Sequence, residues 1–385
     1  MNKFIRNGIV YAFLLLFFAF FAFFMPFTYS EKVFAKDENL SHAKAMVVIE
    51  KTTNRILYRH NEQEKLPMAS LTKIITAIFV IENTEDLNKT FEIPKEAVGI
   101  EGTSIGLKQG EHLTIKELLY GLMLRSGNDA ATALAIATSG SVEQFVKEVN
   151  LYLVENGFCN TQIKNPHGLH HDEHYTTAYD LARITARALN NDVFSEIVAT
   201  QKKEISNELK SKTSRNLLNK NKLLKNYEYA DGVKTGYTRK AGRCFVGSAT
   251  KEDMQVICVL LNCGPMFEDC EFLLKKAFDE YQMYKLVSKD DNLGDIKIKD
   301  SKVNSLELKV ANDFYYPLKR EELKEVKLKV NHSEMLSAPI KEGEQIGDIE
   351  ISFKNQLIFS DKIYSIKYIK PNTFSSEFQR VIQKM

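Results

Sequence analysis

The sequence predicts an α+β chain, with an antiparallel sheet packed by helices in its larger part and a small β-domain after it. Three observations carry this expectation. Two strand-like runs open the globular part and three more come after residue 231, with helical patterns in between, an order that closes an antiparallel sheet around its own helices. The helical stretches carry legible start signals. From about Leu286 the composition shifts to short Lys/Glu/Asp-rich alternating segments, which suit a β-domain with one wet face.

The length of 385 residues exceeds what one ordinary core organises, so two domains plus extras are expected. A composition 44% hydrophobic and 26% charged is globular. Lys and Arg number 52 against 50 Asp and Glu, a net charge of +2, so no basic field argues for nucleic acid as a partner.

The first 35 residues differ in kind. Lys3 and Arg6 precede an apolar run from Ile9 to about Phe27, an export segment, and Val33-Phe34-Ala35 fits a signal-peptidase site with cleavage after Ala35. An uncleaved anchor is the competing reading, since the run reaches the lower limit for a membrane-spanning helix. Either way the remainder is expected outside the cytoplasm, at the outer face of the cytoplasmic membrane or in the cell envelope. The expected organisation is a signal segment over 1–35, a catalytic domain over 36–285, a β-rich domain over 286–370 and a tail over 371–385. In that tail Phe374, Phe378, Val381 and Ile382 recur at helical spacing beside Arg380 and Lys384, which fits peripheral membrane association through a surface-lying helix; a frayed polar tail fits equally.

Taken in order, Ala45–Ile49 and Ile56–Tyr58 flank Thr52-Thr53-Asn54 as a hairpin. A helix is expected from Leu71 to about Ile81. Thr114 with Glu117 and Ser141 with Gln144 form capping-box patterns for two further helices, and Asn156-Gly157 stops the second. Another helix spans Ala178 to Leu189. Strands follow at Gly232–Tyr237, Cys244–Ala249 and Gln255–Leu261, with Lys251-Glu252-Asp253 as a turn, and a helix is expected from about Phe267 to Tyr284. Beyond it, Leu306–Val310 and Val326–Val330 alternate as strands.

The chemistry begins at Ser70-Leu71-Thr72-Lys73, where a loop enters a helix. Residues three apart share a helix face, so the Lys73 amine can take the proton that keeps the Ser70 hydroxyl a weak nucleophile. The helix N-terminus adds positive potential. Alone, S-x-x-K is common. Ser126-Gly127-Asn128 sits at a break between helices and alone is a good turn. Lys234-Thr235-Gly236 lies in a strand pattern, where Gly236 permits another backbone to approach.

Together the three elements form the set of the serine β-lactamases and penicillin-binding proteins, in the right order. The surrounding Pro67–Lys73, Ser126–Ala131, Asn165-Pro166-His167-Gly168-Leu169, His174–Ala178 and Asp231–Thr238 resemble the D-alanyl-D-alanine carboxypeptidases, the low-molecular-mass penicillin-binding proteins of type 5, strongly over residues 40 to about 285 and more weakly to about 370. This resemblance implies a penicillin-recognising serine D,D-peptidase/β-lactamase-like fold acting on peptidoglycan stem peptides that end in D-Ala-D-Ala, with β-lactam antibiotics as covalent inhibitors and no cofactor. It implies Ser70 as nucleophile, Lys73 as base, Ser126 as proton relay, and Asn128 orienting Lys73 and the substrate amide. Lys234 and Thr235 would hold the terminal carboxylate, with Gly236 beside them. The Ser70 and Tyr237 N–H groups would form the oxyanion hole. A substrate-binding arginine is also expected, with Arg239 and Arg243 as candidates.

A class A β-lactamase would show Ser-Asp-Asn and a deacylating Glu. Here Gly127 replaces the Asp, and Glu173 lacks the E-x-x-L-N context. D,D-endopeptidase action on cross-links would use the same site. His167, His170, His171 and His174 invite a zinc reading, yet H-E-x-x-H is missing and no metal is expected. Five cysteines, Cys159, Cys244, Cys258, Cys263 and Cys270, read as small buried hydrophobes with at most one bridge.

Overall fold

The computed structural model describes residues 40–205 and 214–372. The export segment and the tail aromatics lie outside them. From the amino end run β1 (Ala45–Glu50), β2 (Ile56–His60), α1 (Thr72–Glu82), β3 (Thr90–Glu92), β4 (His112–Thr114), α2 (Ile115–Leu124), α3 (Asn128–Ser139), α4 (Val142–Glu155), α5 (Ala178–Leu189) and α6 (Asp192–Ala199). Next come β5 (Lys202–Ile205), β6 (Arg215–Leu218), α7 (Leu223–Asn226), β7 (Ala230–Thr238), β8 (Gly242–Lys251), β9 (Met254–Leu261) and α8 (Met266–Glu280).

A five-stranded antiparallel sheet in the order β2-β1-β9-β8-β7 is the frame. Its central strands are buried on both faces. Every residue of β1 is buried; Ala45, Val47 and Ile49 point into one core with the helices α1 to α6, while Met46 and Val48 point into a second core under α8. This two-sided burial is why β1 and β9 read as continuous apolar runs rather than alternating ones. Between them α1 is buried at every position from Thr72 to Ile81, as a helix apolar nearly all round must be.

Local signals account for the helix ends. Thr114 and Glu117 close a reciprocal capping box on α2, and Ser141 accepts from the Gln144 N–H to start α4. Asn156 ends α4, followed by Gly157 at φ 75. Asn191 caps α6, an element the sequence reading passed over, by accepting from the Val193 and Phe194 N–H groups. The short hairpins β3–β4 and β5–β6 were likewise not expected.

One boundary needs correction. The last helix of this part ends at Glu280 rather than Tyr284, because residues 282–287 form β10 (Gln282–Val287). Beyond it lie β11 (Asp295–Lys299), β12 (Ser305–Glu307), β13 (Phe314–Leu318), β14 (Val326–His332), β15 (Met335–Ser337), β16 (Gln345–Phe353) and β17 (Gln356–Tyr364). They form small sheets, β10-β13, β12-β11-β15 and β14-β16-β17, around a core that includes Ile296, Leu306, Ile349, Ile351 and Ile363. Four cysteines are buried and unbridged; Cys159 is exposed, contrary to the expected burial. No helix among the described residues is long and apolar enough to cross a membrane.

Candidate active site

A single 3-10 turn, Ala69–Leu71, delivers Ser70 to the start of α1. Ala69 takes φ 50 there, a left-handed conformation rare for a residue with a side chain. Neighbours hold it. Gly168, at φ +89, packs so closely that a Cβ at that position would overlap the Ala69 carbonyl oxygen. The Thr72 hydroxyl donates to the same carbonyl at 2.8 Å.

One turn on, Lys73 is fully buried. Its Nζ lies 3.1 Å from Ser70 Oγ, 2.8 Å from Asn128 Oδ1 and 2.6 Å from the His167 carbonyl oxygen. Two of these three neighbours can only accept. A neutral amine has two N–H donors and one lone pair, so giving its hydrogens to the two carbonyls leaves the lone pair for the Ser70 O–H. Burial lowers the Lys73 pKa well below the usual lysine range, and the nearby Lys234 and Lys220 cations push it the same way, against a smaller opposing pull from Asp129. Among the described residues no carboxylate lies within ion-pair distance of Lys73 or Lys234.

The loop that supplies the His167 carbonyl is set by α1 itself. Thr76 Oγ1 donates to Pro166 O at 2.6 Å, and Asn165 closes the turn by accepting from Gly168 N at 2.7 Å. His174 Nδ1 accepts from Lys164 N at 3.1 Å, which puts its proton on Nε2, 2.7 Å from Thr72 Oγ1. Burial, with smaller contributions from neighbouring histidines and Lys73, lowers the His174 pKa to about 3; burial and Lys73 lower that of His167 to about 4. Both rings are neutral at ordinary pH. Among the described residues no group of three or more His, Cys, Asp or Glu is placed to hold a metal ion.

Ser126 occupies the link between α2 and α3 at φ 63, nearly buried. Asn128 opens α3 and is fixed from the other side, its N–H donating to Thr103 O at 2.6 Å and its side-chain amide to Glu101 O at 2.5 Å. That loop is in turn gathered by the Asp129 carboxylate, which accepts from Ser104 Oγ, Ile105 N and Leu107 N.

The third wall is β7, the sheet's edge strand. A Cβ on Gly236 would come within 3.1 Å of Met68 O and 3.2 Å of Ser70 N, so glycine lets β7 run against the backbone of the Ser70 turn. Lys234 is buried and donates to Thr235 O at 3.0 Å; burial and the Lys220 cation lower its pKa to about 7. Tyr237 is 65% exposed at the rim.

The fold thus brings Ser70, Lys73 and Asn128 into direct contact, with the charge of Lys234 close enough to act on Lys73. Sequence reasoning missed the His167 carbonyl, the Asp129 anchor and Lys220, whose N–H is tied to Leu124 O beside Ser126. Arg243 donates to Gly264 O at 3.1 Å and is engaged there, while Arg239 lies exposed in the β7–β8 turn. The extra cation whose field reaches both site lysines is Lys220.

Comparison with known proteins agrees with this geometry. Residues 32–264 match the family described as D-alanyl-D-alanine carboxypeptidase, and residues 281–370 match the C-terminal domain of penicillin-binding protein 5. The D-alanyl-D-alanine carboxypeptidase DacF of Bacillus subtilis is 31% identical over 372 residues, covering 93% of this chain and 95% of the relative. The chain belongs to the D-alanyl-D-alanine carboxypeptidase family. DacC of Escherichia coli is 29% identical over 352 residues, covering 86% of each chain. Penicillin-binding protein 5 from Haemophilus influenzae shares the fold, with a TM-score of 0.72 at 24% identity over 88% of this carboxypeptidase and all of that chain. A point mutant of the Streptomyces K15 DD-transpeptidase matches 62% of the enzyme and 98% of its own length at 28% identity, with a TM-score of 0.60. The enzyme is a serine-type D-Ala-D-Ala carboxypeptidase of a penicillin-binding family.

Proposed function

We propose that Ser70 is the nucleophile and Lys73, as the free amine, its base, acting on peptidoglycan stem peptides that end in D-Ala-D-Ala. The observation that carries this reading is the buried Lys73 amine, held by two acceptor-only carbonyls with its third neighbour the Ser70 hydroxyl. Ser70 Oγ attacks the carbonyl of the penultimate D-Ala while its proton passes to Lys73 Nζ. The oxyanion is received by the Ser70 and Tyr237 N–H groups. Lys234 and Thr235 hold the terminal carboxylate, and Gly236 keeps the strand close enough for both to reach. Asn128 orients Lys73. The C–N bond then breaks, and the proton travels from Lys73 through Ser126 to the departing amine of D-Ala. Water attacks the carbonyl of the Ser70 ester and gives a proton to the Lys73 amine, which passes it to Ser70 Oγ as the C–O bond breaks and the shortened peptide leaves.

A β-lactam follows the first half of this course. Its opened ring keeps the leaving amine tethered over the ester, so water is kept out and the adduct persists. β-lactams are therefore covalent inhibitors on this reading, and the relatives lend no support to a β-lactamase or endopeptidase alternative. We place the enzyme outside the cytoplasm, at the membrane's outer face or in the envelope, with 1–35 as export segment, 36–285 as the catalytic unit, 286–370 as a positioning domain and 371–385 as a peripheral membrane contact.

A fluorescent penicillin tests the chemistry. It should label the wild type stoichiometrically and block D-Ala release, and Ser70→Ala should abolish the label. Persistent labelling of Ser70→Ala would move the nucleophile elsewhere.

A further inference from the structure

β7 is an edge strand, and the groups proposed to hold the substrate lie along it in a defined sequence. Lys234 and Thr235 take the terminal carboxylate; Tyr237 N–H, opposite Ser70, takes the scissile carbonyl. An extended peptide placed this way runs antiparallel to β7, its C-terminus at Lys234 and its N-terminal direction toward Thr238. Extended peptides and strands advance by the same rise, about 3.3 Å per residue. The residue before the penultimate D-Ala therefore passes Thr238 and comes level with the β7–β8 turn.

That turn carries Arg239 and Lys240, both exposed, closed by Ala241 N donating to Thr238 Oγ1 at 3.0 Å. Among the described residues neither side chain makes an ion pair or a hydrogen bond, whereas Arg243 donates to Gly264 O. Two adjacent positive charges thus stand where the side chain of the third residue from the peptide's C-terminus arrives. Tyr237 at their side supplies an exposed ring against which the stem of a long side chain can lie.

We propose that Arg239 and Lys240 form a specificity subsite for a carboxylate on the side chain of the residue preceding D-Ala-D-Ala, so that a peptide with that carboxylate free is preferred over its amidated equivalent. This rests on the assignment of Lys234 and Thr235 as carboxylate holders and names the substrate class for that same site. Exposed ion pairs are individually weak and screened by salt, so the selectivity is modest and depends on ionic strength.

Two acylated tripeptides ending in D-Ala-D-Ala, differing only in whether the third residue's side-chain carboxylate is free or amidated, distinguish the outcomes. Release of D-Ala by the wild type should favour the free carboxylate by about three- to ten-fold in kcat/KM at low salt. The ratio should approach one near 1 M salt, where the screening length is about 3 Å. Arg239→Gln/Lys240→Gln should bring it near one at low salt, and Arg239→Glu/Lys240→Glu should turn preference toward the amidated peptide, a reversal that a merely structural role would not produce. Penicillin labelling checks that each variant is folded. Equal turnover of both peptides by the wild type, or an unchanged ratio in the labelled double variant, overturns the subsite alone. Failure of the wild type to release D-Ala from either peptide overturns the underlying carboxylate assignment instead.

Discussion

Two buried cations in this protein live under opposite rules. Arg55, next to the β1–β2 turn, reaches into the C-terminal β-region, where its guanidinium donates to Pro317 O and to Glu322 at 2.7 Å and lies 4.6 to 5.2 Å from the ring centroids of Phe353, Tyr316 and Tyr281. Burial alone would raise the Glu322 carboxyl pKa, but hydrogen bonds from Lys319 N–H, Arg55 and Lys354 outweigh it and hold the group ionised. Lys73 is buried at least as deeply and has no carboxylate partner. It has neutral carbonyls, a hydroxyl and two further cations nearby. Pairing makes the first charge a structural tie between the two regions. Lack of pairing makes the second hold its proton less tightly, as the proposed base must.

The largest test of this contrast is Lys73→Met. We expect kcat for D-Ala release to fall on the order of 10³-fold, within the range for loss of general-base catalysis. Removing the amine relieves its desolvation but leaves the Asn128 Oδ1 and His167 carbonyl acceptors without their donor, two opposed effects, so the melting temperature should shift little. A melting temperature well below the wild type would show that Lys73 is structural after all.

Arg55→Ala should do the reverse. Glu322 keeps its bonds from Lys319 N–H and Lys354, so losing the Arg55 hydrogen bonds should destabilise the fold by about 1.5–3 kcal/mol in chemical denaturation, with kcat on a small peptide unchanged in the folded fraction. Arg55→Lys should recover little, since lysine lacks the planar fork and stacks less well on the rings. A change below about 1 kcal/mol would reduce the contact to ordinary surface pairing.

The smallest effect concerns pH and the neutral imidazoles beside Lys73. His174 and His167 titrate near 3 and 4 in the fold and near 6.5 when unfolded, so between those limits the unfolded chain binds more protons. Their contribution to stability is complete above about pH 6.5 and is lost as pH falls toward 3. Melting curves from pH 7 to 4 should show this slope, and His174→Gln should flatten it; an unchanged slope would assign the acid sensitivity to carboxylates.

Much of this fold was legible because its signals are local. The Thr114–Glu117 capping box, the Asn156-Gly157 stop and the turn at Lys251-Glu252-Asp253 act within a few residues, and each is where pattern placed it. The helix expected to reach Tyr284 ended at Glu280 because residues 282–287 pair with β13, whose residues lie 27 to 36 positions ahead and whose pull no local pattern registers. Hairpins of three or four residues, such as β3–β4, are too short to carry a periodicity at all.

The sequence by itself named the groups from which the proposed site is built: a serine and lysine one helical turn apart, a Ser-Gly-Asn break between helices, and a glycine that opens a strand to close approach. Their order along the chain was enough to mark the family. Tertiary structure alone lowers the proton affinity of Lys73, because desolvation and the fields of Lys234 and Lys220 depend on distance in space. The groups that hold the amine come from 55 and 94 residues away, and the loops presenting them are set by contacts of Asp129, Thr76 and Gly168 that no local pattern encodes. A hydroxyl and an amine can be named from a sequence; whether one can take the other's proton depends on the burial and charges that folding builds around them.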